Sequence, residues 1–375
     1  MVENNCSECN ACVQICKHQA IELKVNEEGF SYPCINIEKC IHCNLCIEVC
    51  PMQNGDKVKL SNLKVLAVQI KNNKTLQKSS SGGVFSLIAN YVIKNNGIIY
   101  GAAWNAEMQL CHIGVETEKE LERLRGSKYV HSYIGNVFQD IKVHLKNNRL
   151  VYFTGTPCQV AGLKLFLRKS YDNLITSDLI CHGTPSQKIF RDKSIAGWSC
   201  SSSSLTIRKN GKKHFHIYNR NMRAYYLAFI KGDITREDCY SCPFTTVERV
   251  GDITLADFWG IDKFHHFFPN QNNGVSLVLI NSQQGINIWE NIKNDAISEN
   301  SSIDIALQTC NKNLYEPTIR PCARNDSYKK AFNNFISFRD SYLLQENPSK
   351  IYISYYKRKI KQIKCIEYLW KLINK

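Results

Sequence analysis

Cysteine carries most of the chemistry available to this sequence. There are 18 cysteines in 375 residues, and nine lie before residue 51. Cys6, Cys9, Cys12 and Cys16 are spaced C-x2-C-x2-C-x3-C. Cys40, Cys43, Cys46 and Cys50 repeat the spacing, with Pro51 directly after. Three cysteines two residues apart wrap a loop around one face of an iron-sulfur cube, while the fourth, on the helix that follows, reaches a second cube. The spacing therefore assigns one 4Fe-4S cluster to Cys6, Cys9, Cys12 and Cys50, and another to Cys40, Cys43, Cys46 and Cys16. Structural zinc instead uses paired C-x2-C knuckles. Lys17 and His18 stand where the second repeat has Pro51 and Met52, and a cation there is expected to raise the potential of the adjacent cluster. Cys34 fits neither motif and is expected to be a buried hairpin residue.

Four more cysteines form a second constellation. Cys239-x2-Cys242-Pro243 is a chelating pair, and Cys158 and Cys181 each follow a predicted strand. Together they would supply a third four-cysteine cluster; a redox disulfide, a zinc site or unrelated core cysteines are the competing readings. His182, beside Cys181, is the one proton-transfer candidate, weighed against a structural role. Ser79 to Gly83 opens a helix, and serines and glycines there leave N–H groups for an anion or simply cap the helix. Arg125-Gly126-Ser127-Lys128-Tyr129 offers cations, a hydroxyl and an aromatic ring, as a binding segment or a solvated loop. Asp257 and Trp259 end a further apolar strand, where a core aromatic is the default.

These residues need elements to hold them. AIELKV and FSYPCI flank an Asn26-Glu27-Glu28-Gly29 turn, a hairpin between the two cysteine repeats. Residues 53–79 read as a polar linker around a short strand, Val65 to Ile70. Val151 to Phe153 is a strand, Thr154-Gly155-Thr156-Pro157 a turn, Cys158 to Lys169 a helix and Asp178 to Ile180 a strand. Right-handed crossover makes the two strands parallel, with ligands expected beyond their carboxyl ends. Leu205 to Tyr218 reads as a basic hairpin around Asn210-Gly211. The tail is a basic amphipathic helix with Tyr356, Ile360, Ile363, Ile366, Trp370 and Ile373 on one face, suited to its own domain, a partner or an anionic membrane surface.

The expected fold is α+β to α/β. A ferredoxin-like dicluster domain (residues 1–55) precedes a mixed α/β body (56–145 and 146–335) with at least one parallel βαβ unit, then the basic tail (336–375). Hydrophobic content of 43% and charged content of 22% are ordinary for a globular chain. The N-terminus has neither the basic start nor the apolar stretch of a signal peptide, so a reducing cytoplasm is expected, where dense cysteine means metal or redox chemistry. Net charge +15 favours acidic partners without naming one, and no motif recommends nucleic acid.

SSGGVFSLIANYVI, RGSKYV, FTGTPCQVAGLK, CHGTPS, FRDKSIAGW, CYSCPF and DITLADFWG, in this order behind a dicluster module, resemble the beta subunit of the deazaflavin (coenzyme F420) reducing hydrogenase and its dehydrogenase relatives. The resemblance runs from about Cys6 to Ile261. It implies FAD beside the 4Fe-4S clusters. It also implies that Ser81, Gly82, Gly83, Ser127, Lys128 and Tyr129, with Thr154 and Thr156 in the strand-to-helix turn, are cofactor-contact candidates. Two departures stand out. Ala256 replaces a usual glycine, and Phe190-Arg191-Asp192-Lys193 follows CHGTPS almost directly where relatives have an intervening helix, so the substrate site is expected to differ.

The expected function is an iron-sulfur flavoprotein oxidoreductase. It would move electrons between a small-molecule hydride donor or acceptor, such as a deazaflavin, and a ferredoxin-like carrier or partner oxidoreductase subunit. The alternatives are an electron-transfer subunit without substrate chemistry and a ferredoxin-dependent reductase of another metabolite.

Overall fold

Val151–Thr154 and Ser276–Ile280 are apolar without alternation, the pattern of strands covered on both faces. In the computed structural model, which describes residues 5–190, 208–209, 212–213, 220–265, 268, 274–309 and 311–344, both lie inside one large sheet. The strands in chain order are β1 (Ile21–Val25), β2 (Ser31–Ile35), β3 (Lys64–Ile70), β4 (Ile98–Trp104), β5 (Leu110–Val115), β6 (Val151–Thr154), β7 (Leu174–Leu179), β8 (Arg208–Lys209), β9 (Lys212–Lys213), β10 (Ile253–Asp257), β11 (Ser276–Ile280) and β12 (Ala296–Asn300). The large sheet has the order β12-β3-β11-β10-β7-β6-β4-β5. Strands β10, β7, β6 and β4 run parallel, and β3 shares their direction because β11 is antiparallel to both β10 and β3. Their carboxyl ends, at Ile70, Asp257, Leu179, Thr154 and Trp104, thus share one edge.

Alternate residues of the sheet feed two cores. Tyr152 and Ile175 face a core with the helices Val84–Lys94 and Gln283–Ile292, while Val151, Phe153 and Leu174 face one with Val137–Lys146 and Pro157–Leu167. The second core also contains Cys9, Ala11 and Val49 of the cysteine repeats, so the N-terminal module is buried against the body. A third, aromatic core joins the helices Arg220–Lys231, Arg324–Asn333 and Phe335–Leu344 to Phe30 of the hairpin turn.

The fold is mixed α/β with a mostly parallel centre and a small ferredoxin-like region carrying the β1-β2 hairpin. Three local readings change. Residues 53–79 are no mere linker, because β3 within them pairs with β11 and β12. Cys34 is half-buried on β2 rather than buried. Phe338 and Tyr342, at the start of the segment read as a tail, are buried in the aromatic core, so this part of it packs on its own domain. The amphipathic stretch Tyr356 to Ile373 and the segment Arg191 to Trp198 lie outside the described residues, as does most of the hairpin around β8 and β9. No helix among the described residues is long and apolar enough to cross a membrane.

Candidate iron-sulfur centres and the adjoining cofactor edge

Both cysteine repeats bend the backbone in the same way. Glu8 and Asn10 in the first, and His42 and Asn44 in the second, take left-handed φ of 57°, 61°, 55° and 59°. Asparagine tolerates that region; Glu8 and His42 are held there against their preference. The bend turns N–H groups toward sulfur, as in Glu8 N donating to Cys6 Sγ at 3.4 Å. Such donors are one of the means by which a protein tunes a cluster potential.

Cys50, from the second repeat, sits among cysteines of the first. Burial pushes the Cys12 thiol up to about 12, and the nearby sulfurs of Cys6, Cys50 and Cys46 push the same way. Burial likewise pushes Cys6 up to about 11 against the opposing Arg236 cation, and Cys9, fully buried, well above its usual value. Cys46 neighbours Cys43 and Cys40, and Cys16 Sγ accepts from Ala20 N at 3.4 Å. Cys43 is exposed, so the second tetrad is the outer one.

The body supplies a third tetrad. Cys158 lies in the first turn of the helix Pro157–Leu167, Cys181 just beyond β7, and Cys239 and Cys242 in and after the 3-10 helix Glu237–Ser241. Every pair among these four sulfurs interacts. Burial is again the main cause of their raised thiols, with Cys239 up to about 11 and Cys242 up to about 12. Buried thiols pushed this far ionise only beside a compensating cationic centre, which suits iron. All four are free of disulfides. Among the described residues no three His, Cys, Asp or Glu side chains are close enough to hold one metal ion.

The tetrads adjoin. Cys9 of the inner N-terminal tetrad feels Cys158 of the third, and Cys12 feels Cys46 of the outer one. Two glycines permit the approach. A Cβ on Gly162 would lie 2.9 Å from Cys9 Sγ. Gly183, at φ +101°, would put a Cβ 2.4 Å from Thr235 Cγ2 and 3.1 Å from Cys239 Cβ. Neither glycine is conspicuous in the sequence. Arg236, 1% exposed and wedged between Cys6 and the Cys239 helix, is equally inconspicuous there, although its place three residues before Cys239 is a signal.

The cofactor-contact candidates share the carboxyl edge. Ser127 N donates to Ser80 Oγ at 3.0 Å, which joins the two sequence segments. Ser81 Oγ donates to Val275 O, and Gly82 N to Ser276 Oγ, both at 3.0 Å. Gly82 is required for packing, since a Cβ would meet Val68 O at 2.1 Å; Gly83, at φ +85°, starts the helix Val84–Lys94 without a side-chain cap. Lys128 Nζ donates to the carbonyls of Leu124, Arg125 and Gly126 at 2.9 to 3.1 Å. Burial alone pushes its ammonium down to about 7, with no carboxylate to offset it. Thr154 O is bonded to His112 Nε2 at 3.1 Å, and Thr156 Oγ1 lies 3.2 Å from Cys158 Sγ. The uncapped helix start would suit an anionic group such as a flavin diphosphate, which Lys128 would meet only by giving up one of its three carbonyl bonds.

Two candidates are engaged elsewhere. The Tyr129 ring packs on Tyr226 and Phe229 in the aromatic core. His182 bonds Ile230 O at 2.8 Å and Asn313 Oδ1 at 3.1 Å, so both ring nitrogens hold the 181–186 turn in place.

Residues 148–305 match the family model for the carboxy-terminal region of the coenzyme F420 hydrogenase/dehydrogenase beta subunit, and residues 5–54 match a 4Fe-4S dicluster domain. The third tetrad lies wholly within the beta-subunit match, whereas Ser81–Gly83 and Ser127–Tyr129 fall between the two matched segments. No curated protein matches the sequence. A chain of the xenon-derivatised F420-reducing NiFe hydrogenase complex from Methanosarcina barkeri is similar at 17% identity and TM-score 0.44, over 73% of this chain and 89% of that one. This likeness is too distant to bear on function. The dicluster match supports 4Fe-4S clusters in the N-terminal module, and the body is similar over residues 148–305 to the beta subunit of an oxidoreductase family.

Proposed function

We propose that the chain is an iron-sulfur flavoprotein oxidoreductase that connects a two-electron substrate to a one-electron carrier. The observation that carries this reading is the unbroken run of sulfur tetrads. Thr156 touches Cys158, Cys158 adjoins Cys9, and Cys12 adjoins Cys46. One end of the run meets the carboxyl edge with its cofactor-contact candidates, and the other reaches the exposed Cys43.

Flavin, when bound, takes a hydride as two electrons and yields them singly, which matches clusters that accept one each. The chain's own residues would hold and shield these groups. Lys128 and the uncapped start of Val84–Lys94 would bind the flavin diphosphate, with Ser127 and Ser81 fixing the two loops. Cys158, Cys181, Cys239 and Cys242 would hold the third cluster. Cys6, Cys9, Cys12 and Cys50 would hold the inner N-terminal cluster, and Cys40, Cys43, Cys46 and Cys16 the outer one. Burial of Cys9 excludes water from the interior of the run. A ferredoxin-like carrier or partner subunit would meet the exposed end. A deazaflavin is the leading substrate class, by the description of the family alone.

A second reading, an electron-transfer subunit without substrate chemistry, is favoured by one observation. Ser81, Gly82 and Gly83 are already accounted for by hydrogen bonds and packing within the protein. Anaerobic purification with iron, sulfide and acid-released flavin assays separates the two. About twelve irons with FAD support the flavoenzyme, and about eight irons without flavin would defeat both it and the third cluster.

A further inference from the structure

Arg236 and Arg249 are equally buried cations near the tetrads, and Arg236 is the one that touches the first cysteine loop. Its side chain is 1% exposed, and its contacts tie the first cysteine loop to the Cys239 helix. Nε donates to Cys6 O at 2.7 Å and to Asp238 Oδ2 at 3.0 Å. Nη1 donates to Glu8 Oε2 at 2.8 Å, and Nη2 to Ser31 O at 3.3 Å. The guanidinium plane lies 4.2 Å from the Tyr32 ring centre and 5.0 Å from that of Phe30. Arg236 also stands at the amino end of the 3-10 helix that carries Cys239, where its carbonyl accepts from Cys239 N at 3.1 Å.

We propose that Arg236 is a positioning residue whose fixed charge sets the reduction potentials of both clusters it separates, the inner N-terminal one and that of the third tetrad. This rests on the third-tetrad reading above. A reduced cluster carries one more negative charge than an oxidised one, so a cation beside it stabilises the reduced form and raises the potential. The field is strong because the surroundings are dry and apolar. The same guanidinium acts on Cys6 of one tetrad and on Cys158 and Cys239 of the other. Glu8 and Asp238 oppose it, while His131, 3.7 Å from Glu8, is kept neutral by burial. Changing this one residue therefore moves two potentials together and leaves the outer cluster as an internal reference.

The test is a potentiometric titration of the whole protein followed by electron paramagnetic resonance, for wild type, Arg236→Gln, Arg236→Lys and Glu8→Gln, with iron content measured on each. Arg236→Gln is expected to lower the two inner midpoints by at least tenfold in the reduction equilibrium, about 59 mV for one electron, with the outer midpoint unmoved. Arg236→Lys should restore them. Glu8→Gln should shift the same two upward. Unchanged midpoints in an iron-replete Arg236→Gln protein overturn the proposal, as does Glu8→Gln shifting them downward, which would mark general loosening. If Arg236→Gln does not fold, Glu8→Gln decides alone: a rise supports the proposal, and no change or a fall overturns it. Wild-type protein with about eight irons would refute the third tetrad instead, leaving the inner N-terminal midpoint to report on Arg236.

Discussion

Cys9 has no spare room. Its sulfur faces Gly162 across a helix-to-loop contact that a single methyl group would close to 2.9 Å. Gly162→Ala is therefore expected to cost about 1 to 3 kcal/mol, as overpacking of a filled core does. Thermal unfolding together with iron content would register it; unchanged stability and full iron would show that the helix yields. Lys128 offers a test of a different kind. Its folded pKa is depressed to about 7, while an unfolded chain holds the proton to about 10.4. Between those values the unfolded state binds more protons, so flavin-free protein should gain stability as pH rises through that window. Below it both states are protonated and the penalty is complete. Denaturant titrations at pH 7, 8 and 9, read as the difference from Lys128→Met, isolate this group from the thiols. A flat difference would mean that the ammonium is solvated. An anionic ligand paired to Lys128 should abolish the slope.

At the scale of elements, the buried arginines act as bolts. Arg324, in the helix Arg324–Asn333, pairs with Glu28 of the β1-β2 turn and donates to Thr235 O at 2.8 Å, while Tyr328 OH donates to Glu28 O at 2.8 Å. Arg324 is buried but Glu28 is 29% exposed, so losing the arginine removes charge-assisted hydrogen bonds without stranding a buried carboxylate. Arg324→Met should thus cost about 1 to 3 kcal/mol, with loss of amide hydrogen-exchange protection concentrated in the hairpin. Loss spread evenly over the chain would show that the bolt has no local role. Local pattern made several elements readable: the hairpin from its Asn-Glu-Glu-Gly turn, the βαβ unit from two short apolar runs around a helix, and the dicluster module from its repeated cysteine spacing. What escaped was non-local. β3 looked like a strand stranded in a linker because its partners β11 and β12 lie more than 200 residues later. Gly162 matters only through contacts made by the folded chain, and Arg236 had no local signal beyond its place three residues before Cys239. The repeated Asn10 and Asn44 are a legible sign of the shared left-handed bend, since asparagine is among the few residues that tolerate it.

Across the whole molecule, charge and exposure meet at the outer tetrad. Burial pushes the Lys142 ammonium down, and Lys146, Lys17 and Arg168 add to the push, so these cations form one patch. Arg168 also reaches Glu48 beside Cys46, at 3.5 Å. Ile41 and Ile47 are 60% and 40% exposed on the same cysteine loop and helix. If electrons leave here to an acidic dicluster ferredoxin, transfer should be fast at low salt and slow steeply as salt rises. Lys146→Glu is expected to slow it several-fold at low ionic strength, with the difference vanishing at high salt. Lys94→Glu, on a helix over the opposite sheet face, is the matched control. Equal effects at Lys146 and Lys94 in stopped-flow would reduce the patch to the general field of a +15 chain.

The burial of Cys9 in a core shared with the body also bears on how the protein is made. If Cys9 ligates a cluster as proposed, its thiol, sealed beneath the helix Pro157–Leu167, is reached most readily before the N-terminal module docks. Loading is then expected to precede closure of that interface, and a cluster lost afterwards to be replaced only by a molecule that reopens.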